Sequence, residues 1–270
     1  MSAFLTHWNI VRKPVIGMLH LPALPGAPRA QKPISEIFDQ MLRDADALAS
    51  GGVNGLMMEN FGDVPFYPGR VPAYVVAHMT AIACEIRKGF KLPLGINVLR
   101  NDGLSALAVA QASGAEFIRV NVLSGARVTD QGVIQGIAHD LLRERAMLGA
   151  ANIKIMADVD VKHSAALAPR PIEDEVDDTL ERGLAEALIV SGAGTGKATD
   201  PAKAKAVKAR AGDAPVFIGS GASVQTIKAL APHVDGFVVG TAFKRDGIAT
   251  NEVEPARVRE FMQRLHGHSR

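Results

Sequence analysis

A chain of 270 residues with 47% hydrophobic, 21% charged and 5% aromatic residues has the make-up of a well-cored globular protein, which excludes overall disorder. A formal net charge of only +2, with no dense Lys/Arg run interleaved with aromatic residues, leaves out the electrostatic footprint of a nucleic-acid binder. The single cysteine, Cys84, excludes an internal disulfide, and its place in the apolar stretch 81–86 predicts a buried thiol.

No run approaches the roughly 18 uninterrupted apolar residues of a membrane span, and the N-terminus lacks the basic-then-apolar order of a signal peptide. A reducing cytoplasm is the expected location. In chain order, short β-rich runs alternate with longer amphipathic stretches, the pattern of repeated βα units around a parallel sheet. The predicted strands are 14–20, 53–60, 92–98, 117–121, 153–159, 187–191, 216–220 and 236–240. The helices between them begin near Ser35, Pro72, Gly103, Ile134, Ile172, Pro201, Ser223 and Pro255. Asp200-Pro201 and Glu254-Pro255 are helix starts with proline in the first turn, while Gly51-Gly52, Gly89, Gly114, Gly149 and Gly183 mark helix ends. Eight near-equal units in this length favour a single α/β domain over residues 1–270, a (β/α)8 TIM-type barrel, rather than an open doubly wound sheet.

Three further segments are readable. The proline-rich stretch 21–33 is a long loop expected over the barrel mouth. Residues 61–67, with their three aromatics and Pro65, read as a lid, an oligomer contact or plain loop packing. The basic cluster Lys203, Lys205, Lys208 and Arg210 reads as a solvated helix face.

Function in such a barrel gathers at the strand C-termini and the loops that follow. Those ends supply His20, Glu59 with Asn60, Asn97, Arg119 with Asn121, Asp158 with Asp160, Ser191, Ser220 and Thr241. Side chains two apart share a strand face, so Arg119 and Asn121 are expected to point together, as are Asp158, Asp160 and, in continued extension, Lys162. Ionisable groups among apolar neighbours are costly unless paired, metal-bound or solvated, which favours a pocket. The competing explanation is that Arg119 pairs with Asp158 or Glu59 and ties strands together. His20 reads either as a core histidine bonded to a carbonyl or as a ligand or acid/base group.

Gly219-Ser220-Gly221 closes the seventh strand and Gly240-Thr241 the eighth, the two places where barrels often grip phosphate through backbone amides. The loop 191–197 is no P-loop, because Ser191 stands where its first glycine would fall and Ala198 replaces the Ser/Thr after Lys197. It reads either as an amide-lined anion site with Lys197 as counter-charge or as a flexible turn. Glu59, Asp158 and His163, with Asp160 and His20 nearby in kind, are a candidate set for Mg²⁺, Mn²⁺ or Zn²⁺, though without diagnostic spacing. Without metal, Glu59 or Asp158 would be a general base with His20 or His163 as acid. Lys162 would pair with a carboxylate, Asp160 being close in sequence, or form a Schiff base with a carbonyl substrate.

The stretches 14–22 with Leu24-Pro25-Gly26, 59–66, 117–121, 157–163 and 191–196, in this order and over most of the chain, resemble the BtpA/SgcQ family of TIM-barrel proteins. The resemblance implies the barrel and leaves the reaction to the site, since a fold does not determine chemistry. One branch of that family is associated with assembly or stability of photosystem I, the other with carbohydrate-related gene contexts. Two readings follow. In the favoured one the protein is a lyase, isomerase, epimerase or glycosyl-bond hydrolase acting on a phosphorylated sugar or nucleoside-like small molecule. Gly219, Ser220, Gly221, Gly240 and Thr241 would hold phosphate; Asn97, Arg119, Asn121, Ser191 and Thr195 would orient substrate; Glu59 or Asp158 would move a proton. Asp158→Asn is then expected to abolish turnover and leave the fold intact. In the other reading the barrel is a non-catalytic assembly factor for a membrane complex, which needs an exposed partner surface that the sequence does not display. A homo-oligomer is compatible with either.

Overall fold

All eight apolar runs become strands. In chain order the strands are β1 (Val15–His20), β2 (Gly55–Glu59), β3 (Leu94–Asn97), β4 (Phe117–Val120), β5 (Ala126–Thr129), β6 (Gly132–Gln135), β7 (Lys154–Val159), β8 (Ser164–Ala166), β9 (Ala187–Val190), β10 (Val216–Ile218) and β11 (Gly236–Val239). Eight of them close into a barrel in the order β1-β2-β3-β4-β7-β9-β10-β11, and every neighbouring pair is parallel. The structure is a computed structural model that describes residues 4, 6–8, 10–192, 194–195 and 197–267. Helices α1 (Ile34–Ser50), α2 (Ala73–Gly89), α3 (Gly103–Ser113), α4 (Ala138–Met147), α5 (Ile172–Asp177), α6 (Pro201–Arg210), α7 (Ile227–Leu230) and α8 (Pro255–His266) connect the strands. None of the described helices is long and apolar enough to cross a membrane.

The strand period of two divides the core. Val15, Leu19, Leu56, Met58, Ile118, Val120, Ile155 and Ile218 turn outward to the helices. Ile16, Met18, Met57, Phe117, Met156, Ile189, Phe217 and Val238 turn inward, where Phe4 and Trp8 join them. Trp8 anchors this floor by donating Nε1–H to the Asn54 carbonyl at 2.7 Å, and its ring lies 5.9 Å from Phe117 and 6.0 Å from Phe217. Two residues further along each strand, the same inward register presents His20, Glu59, Asn97, Arg119, Asp158, Ser191, Gly219 and Gly240. An aromatic floor at the N-terminal end thus carries a polar layer directed to the C-terminal end.

Three local expectations are corrected. Ile134 does not open a helix: it lies in β6, which forms a three-stranded antiparallel sheet with β5 and β8, and the helix starts four residues later at Ala138. The period there is two, with Arg127 and Ile134 buried while Val128 and Val133 stay exposed, so alternation rather than helical spacing governs. Cys84 is only half-buried, since it sits on the α2 face toward α3 with its thiol 4.0 Å from the Ala112 carbonyl. The basic face of α6 is largely engaged: Lys203 binds Asp160, Lys208 binds Asp235 at 2.7 Å, and Arg210 binds Asp177. Of the two proline starts, Asp200 caps α6 by accepting from the Ala202 amide at 2.9 Å, whereas the Glu254 side chain makes no cap bond.

Candidate functional site

At the C-terminal end of the barrel lies a cavity of about 190 Å³ that opens to solvent at its mouth. Its wall brings together ten of the residues singled out by the sequence: His20, Glu59, Arg119, Lys162, Thr195, Gly219, Ser220, Gly221, Gly240 and Thr241. Asn97, Asn121, Asp158, Asp160, His163 and Ser191 do not line it.

Beneath the cavity, Arg119 and Asp158 form a buried bidentate pair, with Nε to Oδ2 at 2.9 Å and Nη2 to Oδ1 at 2.8 Å. Asn121 donates to the same carboxylate at 2.9 Å, and Asn97 Nδ2 binds the Arg119 carbonyl at 3.1 Å and Asn121 Oδ1 at 3.3 Å. The Ser191 hydroxyl reaches Asp158 at 3.5 Å. Burial opposes the charge on Arg119, and the Asp158 carboxylate outweighs it, so the guanidinium stays protonated. Asp158 therefore meets a buried cation on one side and an amide on the other; its lone pairs serve the strand ends.

Extension does not persist beyond β7. Asp160 takes a left-handed backbone (φ 50°), and so does His163 (φ 55°), which swings Asp160 away from Asp158. Asp160 is held on the outside by Lys203 Nζ at 2.5 Å and by Arg127, which also binds Glu175 at 3.1 Å. Burial alone would raise the Asp160 pKa, but Lys203 and Arg127 hold it below the ordinary carboxylate value. His163 is exposed and accepts the Thr195 amide on Nε2 at 3.1 Å, which pins the loop after β7 to the loop after β9. Of the latter loop, Ala193 and Gly196 lie outside the described residues.

The turn leaves Lys162 pointing back into the cavity, and burial pushes its ammonium pKa down. Its backbone carbonyl accepts from Arg100 Nη2 at 2.5 Å. Arg100 is itself buried at 4% exposure, and burial lowers its pKa as well. Glu59 is buried at 3%, and its carboxylate has no hydrogen-bond partner among the described residues; His20 Nε2 stands 4.0 Å from it. The His20 ring stacks on Phe61 at 4.4 Å, so the segment 61–67 contributes a wall contact, and Nδ1 faces the Ala249 carbonyl at 3.2 Å. A carbonyl only accepts, so Nδ1 carries the ring proton and Nε2 is the acceptor. Burial first, then the Lys244 charge, lowers the His20 pKa to about 3. The ring is neutral at physiological pH and acts there as a hydrogen-bond acceptor, not an acid.

Across the cavity, no acceptor among the described residues takes the amides of Gly221, Ala222, Thr241 or Ala242. The loop that presents them is braced by Thr226, whose hydroxyl donates to the Gly221 carbonyl at 2.9 Å and accepts the Ser223 amide at 2.9 Å. Gly221 has φ +72°, and a Cβ there would fall 2.0 Å from the Lys197 carbonyl oxygen, so this glycine is required by the neighbouring loop. At Gly240 a Cβ would stand 2.8 Å from the His20 ring. The candidate metal set is not assembled: among the described residues no three His, Cys, Asp or Glu side chains converge, because Asp158 is turned to Arg119 and His163 is outside the cavity.

Sequence reasoning missed Arg100, Ser223, Thr226 and Lys244. Arg100 lies just past the third strand end, which could have flagged it. The Ser223-x-x-Thr226 spacing is a visible turn signal. Lys244 carries no such mark; it is buried on Asp44 of α1 at 2.7 Å, a contact spanning 200 residues.

An aromatic floor, a polar layer and an amide-lined lip at the ends of β10 and β11 define a (β/α)8 barrel with a polar cavity at its C-terminal face. The BtpA family model matches residues 11–267, and the chain belongs to that family. It is 46% identical over 252 residues to an uncharacterized protein of Thermococcus kodakarensis, covering 93% of this chain and 95% of that one. It is 42% identical over 264 residues to the photosystem I biogenesis protein BtpA of Synechocystis, covering 98% and 90% respectively. Among solved structures it resembles N-(5'-phosphoribosyl)anthranilate isomerase from Pyrococcus furiosus, with a TM-score of 0.56 and 13% identity over 94% of this chain and 98% of that one. It resembles KGPDC from Streptococcus mutans with a TM-score of 0.58 and 13% identity over 94% and 97%. These last two are likenesses of fold.

Proposed function

We propose that the protein is an enzyme that binds a phosphorylated sugar or nucleoside-like small molecule and moves a proton on it, as a lyase or an isomerase. The observation that carries this reading is the meeting, in one cavity, of the amides at 221–222 and 241–242 with Glu59, Lys162 and neutral His20. Unpaired amides suit a phosphate dianion. The opposite wall then meets the remainder of the substrate with a carboxylate free to take a proton, an amine, and an imidazole acceptor. Glycosyl-bond hydrolysis, which ordinarily uses two carboxyl groups flanking the bond, fits less well, because Glu59 lines the cavity while Asp158 is committed to Arg119. The name of the phosphoribosyl-anthranilate isomerase is consistent with a phosphorylated substrate on this fold.

The test is thermal unfolding against a panel of phosphorylated sugars and nucleotides, each with Mg²⁺, Mn²⁺, Zn²⁺ or chelator. A ligand at about a hundred times its Kd adds about 2.7 kcal/mol, or roughly 5–10 °C for a domain of this size. Thr241→Glu, which puts a negative charge beside the cradle, is expected to remove that shift. The name of the Synechocystis relative favours a second reading, an assembly factor for a membrane complex. A panel without any shift, together with a protein partner recovered by pull-down, would replace the first reading with the second.

A further inference from the structure

We propose that Lys162 is a catalytic nucleophile that forms an imine with an aldehyde or ketone group of the substrate, which makes the substrate a phosphorylated carbonyl compound. The inference rests on the reading of the cavity as a phosphate-anchored active site and adds the chemistry at its other end.

The geometry excludes the commoner fate of such a lysine. Asp160, its neighbour two positions back, is turned outward by its left-handed backbone and taken by Lys203 and Arg127. Asp158 is taken by Arg119 at 2.8 Å. Among the described residues Lys162 forms no ion pair, although its side chain lines the cavity. The backbone behind it is fixed on two sides, by Arg100 Nη2 on the Lys162 carbonyl at 2.5 Å and by the His163–Thr195 contact at 3.1 Å. A backbone fixed this way directs the side chain into the cavity, as a covalent site requires. The charged groups acting on it are Glu59 and Asp158, which favour the ammonium, and Arg119 and Arg100, which oppose it; burial opposes it more strongly than any of these. Each unit by which a lysine pKa falls raises its free-amine fraction near neutrality about tenfold, so the environment favours the nucleophilic form.

The step balances without a further reactant. The Nζ lone pair attacks the carbonyl carbon and the carbonyl oxygen takes a proton, giving a carbinolamine. The hydroxyl then takes a proton from solvent and departs as water, which leaves the C=N bond with one proton still on the nitrogen. Water addition reverses the sequence and returns free Lys162. While the imine stands, its protonated nitrogen draws electrons from the adjacent carbon, and the Glu59 carboxylate is the group in the cavity able to take the proton released there.

Glycolaldehyde phosphate, a small phosphorylated aldehyde, is the probe, and unphosphorylated glycolaldehyde is its control. The intact protein is incubated at neutral pH with either compound and sodium cyanoborohydride, whose hydride adds to an iminium carbon and fixes it as a secondary amine. Peptide mass spectrometry then gives the extent of modification at each lysine. The expected result is that Lys162 is modified at least about tenfold more than the exposed Lys32, Lys88, Lys91 and Lys228. It should react at far lower concentration of the phosphorylated aldehyde and be protected by inorganic phosphate. Modification of Lys162 no greater than that of the exposed lysines, with both aldehydes, overturns the inference; if phosphorylated compounds still raise the unfolding temperature, the proposed function survives that loss. Preferential modification by both aldehydes alike, without protection by phosphate, supports the imine and removes the phosphate cradle. Because the wild-type peptide map decides, the result does not depend on Lys162→Met folding; that variant serves to confirm the site.

Discussion

Replacing Asp158 by asparagine removes a negative charge from a place where the matching positive charge cannot follow it into water. The Arg119 side chain is 1% exposed and donates two hydrogen bonds, of 2.9 and 2.8 Å, to that carboxylate. Asn121 loses its charged acceptor at 2.9 Å in the same stroke. Removing one partner of a buried ion pair costs about 3–5 kcal/mol, and the amide oxygen that asparagine retains keeps the cost near the lower figure. At roughly 2–4 °C per kcal/mol for a domain of this size, Asp158→Asn should lower Tm by roughly 6–12 °C. Thermal and urea unfolding of the purified variant measure this directly. The double variant Arg119→Met/Asp158→Leu removes both charges, and its stability should fall within about 1 kcal/mol of wild type or above it. An Asp158→Asn protein that unfolds where wild type does, yet loses ligand turnover, would refute the structural role and return Asp158 to the reacting groups.

His20 stays neutral in the folded chain down to about pH 3, whereas in the unfolded chain it takes up a proton near pH 6.5. The stability this contributes is complete above about pH 6.5 and is lost as pH falls toward 3, at up to about 1.4 kcal/mol per unit. His20→Gln should therefore flatten the dependence of the urea midpoint between pH 7.5 and pH 5, and an unchanged slope would contradict the assignment. Gly221→Ala meets both a left-handed backbone and the Lys197 carbonyl at 2.0 Å. It should cost at least about 1–2 kcal/mol and weaken ligand binding with it, unlike Thr241→Glu, which should weaken binding at nearly constant Tm. Asp44→Ala strands the buried Lys244 ammonium and the Val253 amide, both bound to Asp44 at 2.7 Å. A loss of about 3–5 kcal/mol in urea unfolding is expected, together with a smaller phosphate-induced shift, because Lys244 follows the cradle residue Thr241 by three positions.

The barrel was legible because its evidence is local. Each strand announces itself by apolar runs of the right length, and each strand end by a polar residue two positions beyond an inward hydrophobe, as in Met18 with His20, Met57 with Glu59 and Phe117 with Arg119. The glycine-lined lip at the ends of β10 and β11 was legible for the same reason. The alternation rule failed where the chain left the strand, at Asp160, since positive φ at an aspartate follows from its surroundings: Arg127 in β5, Lys203 in α6 and Glu175 in α5. No spacing rule encodes a carboxylate drawn outward by basic side chains of two other elements. The β5–β6 hairpin was missed because four-residue strands give too few periods to distinguish from the start of a helix. The partners of Arg119 were foreseen as alternatives, and only the three-dimensional arrangement chose Asp158 over Glu59.

That choice bears on which of the two functional readings has the better physical support. A scaffold has no use for uncompensated charge inside its barrel, since every buried ionisable group without a partner lowers stability. Arg119 and Asp158 neutralise each other, as do Lys244 and Asp44, and both pairs are explained by structure alone. Glu59, Lys162 and Arg100 are not explained that way. Each is buried or nearly so, none forms an ion pair with a described acidic or basic side chain other than the neutral His20 beside Glu59, and the first two open on the amide-lined cavity. Ionisable groups kept in such positions at a cost to the fold are what a site that binds and transforms a ligand requires. An assembly surface would instead leave its distinctive groups on the outside.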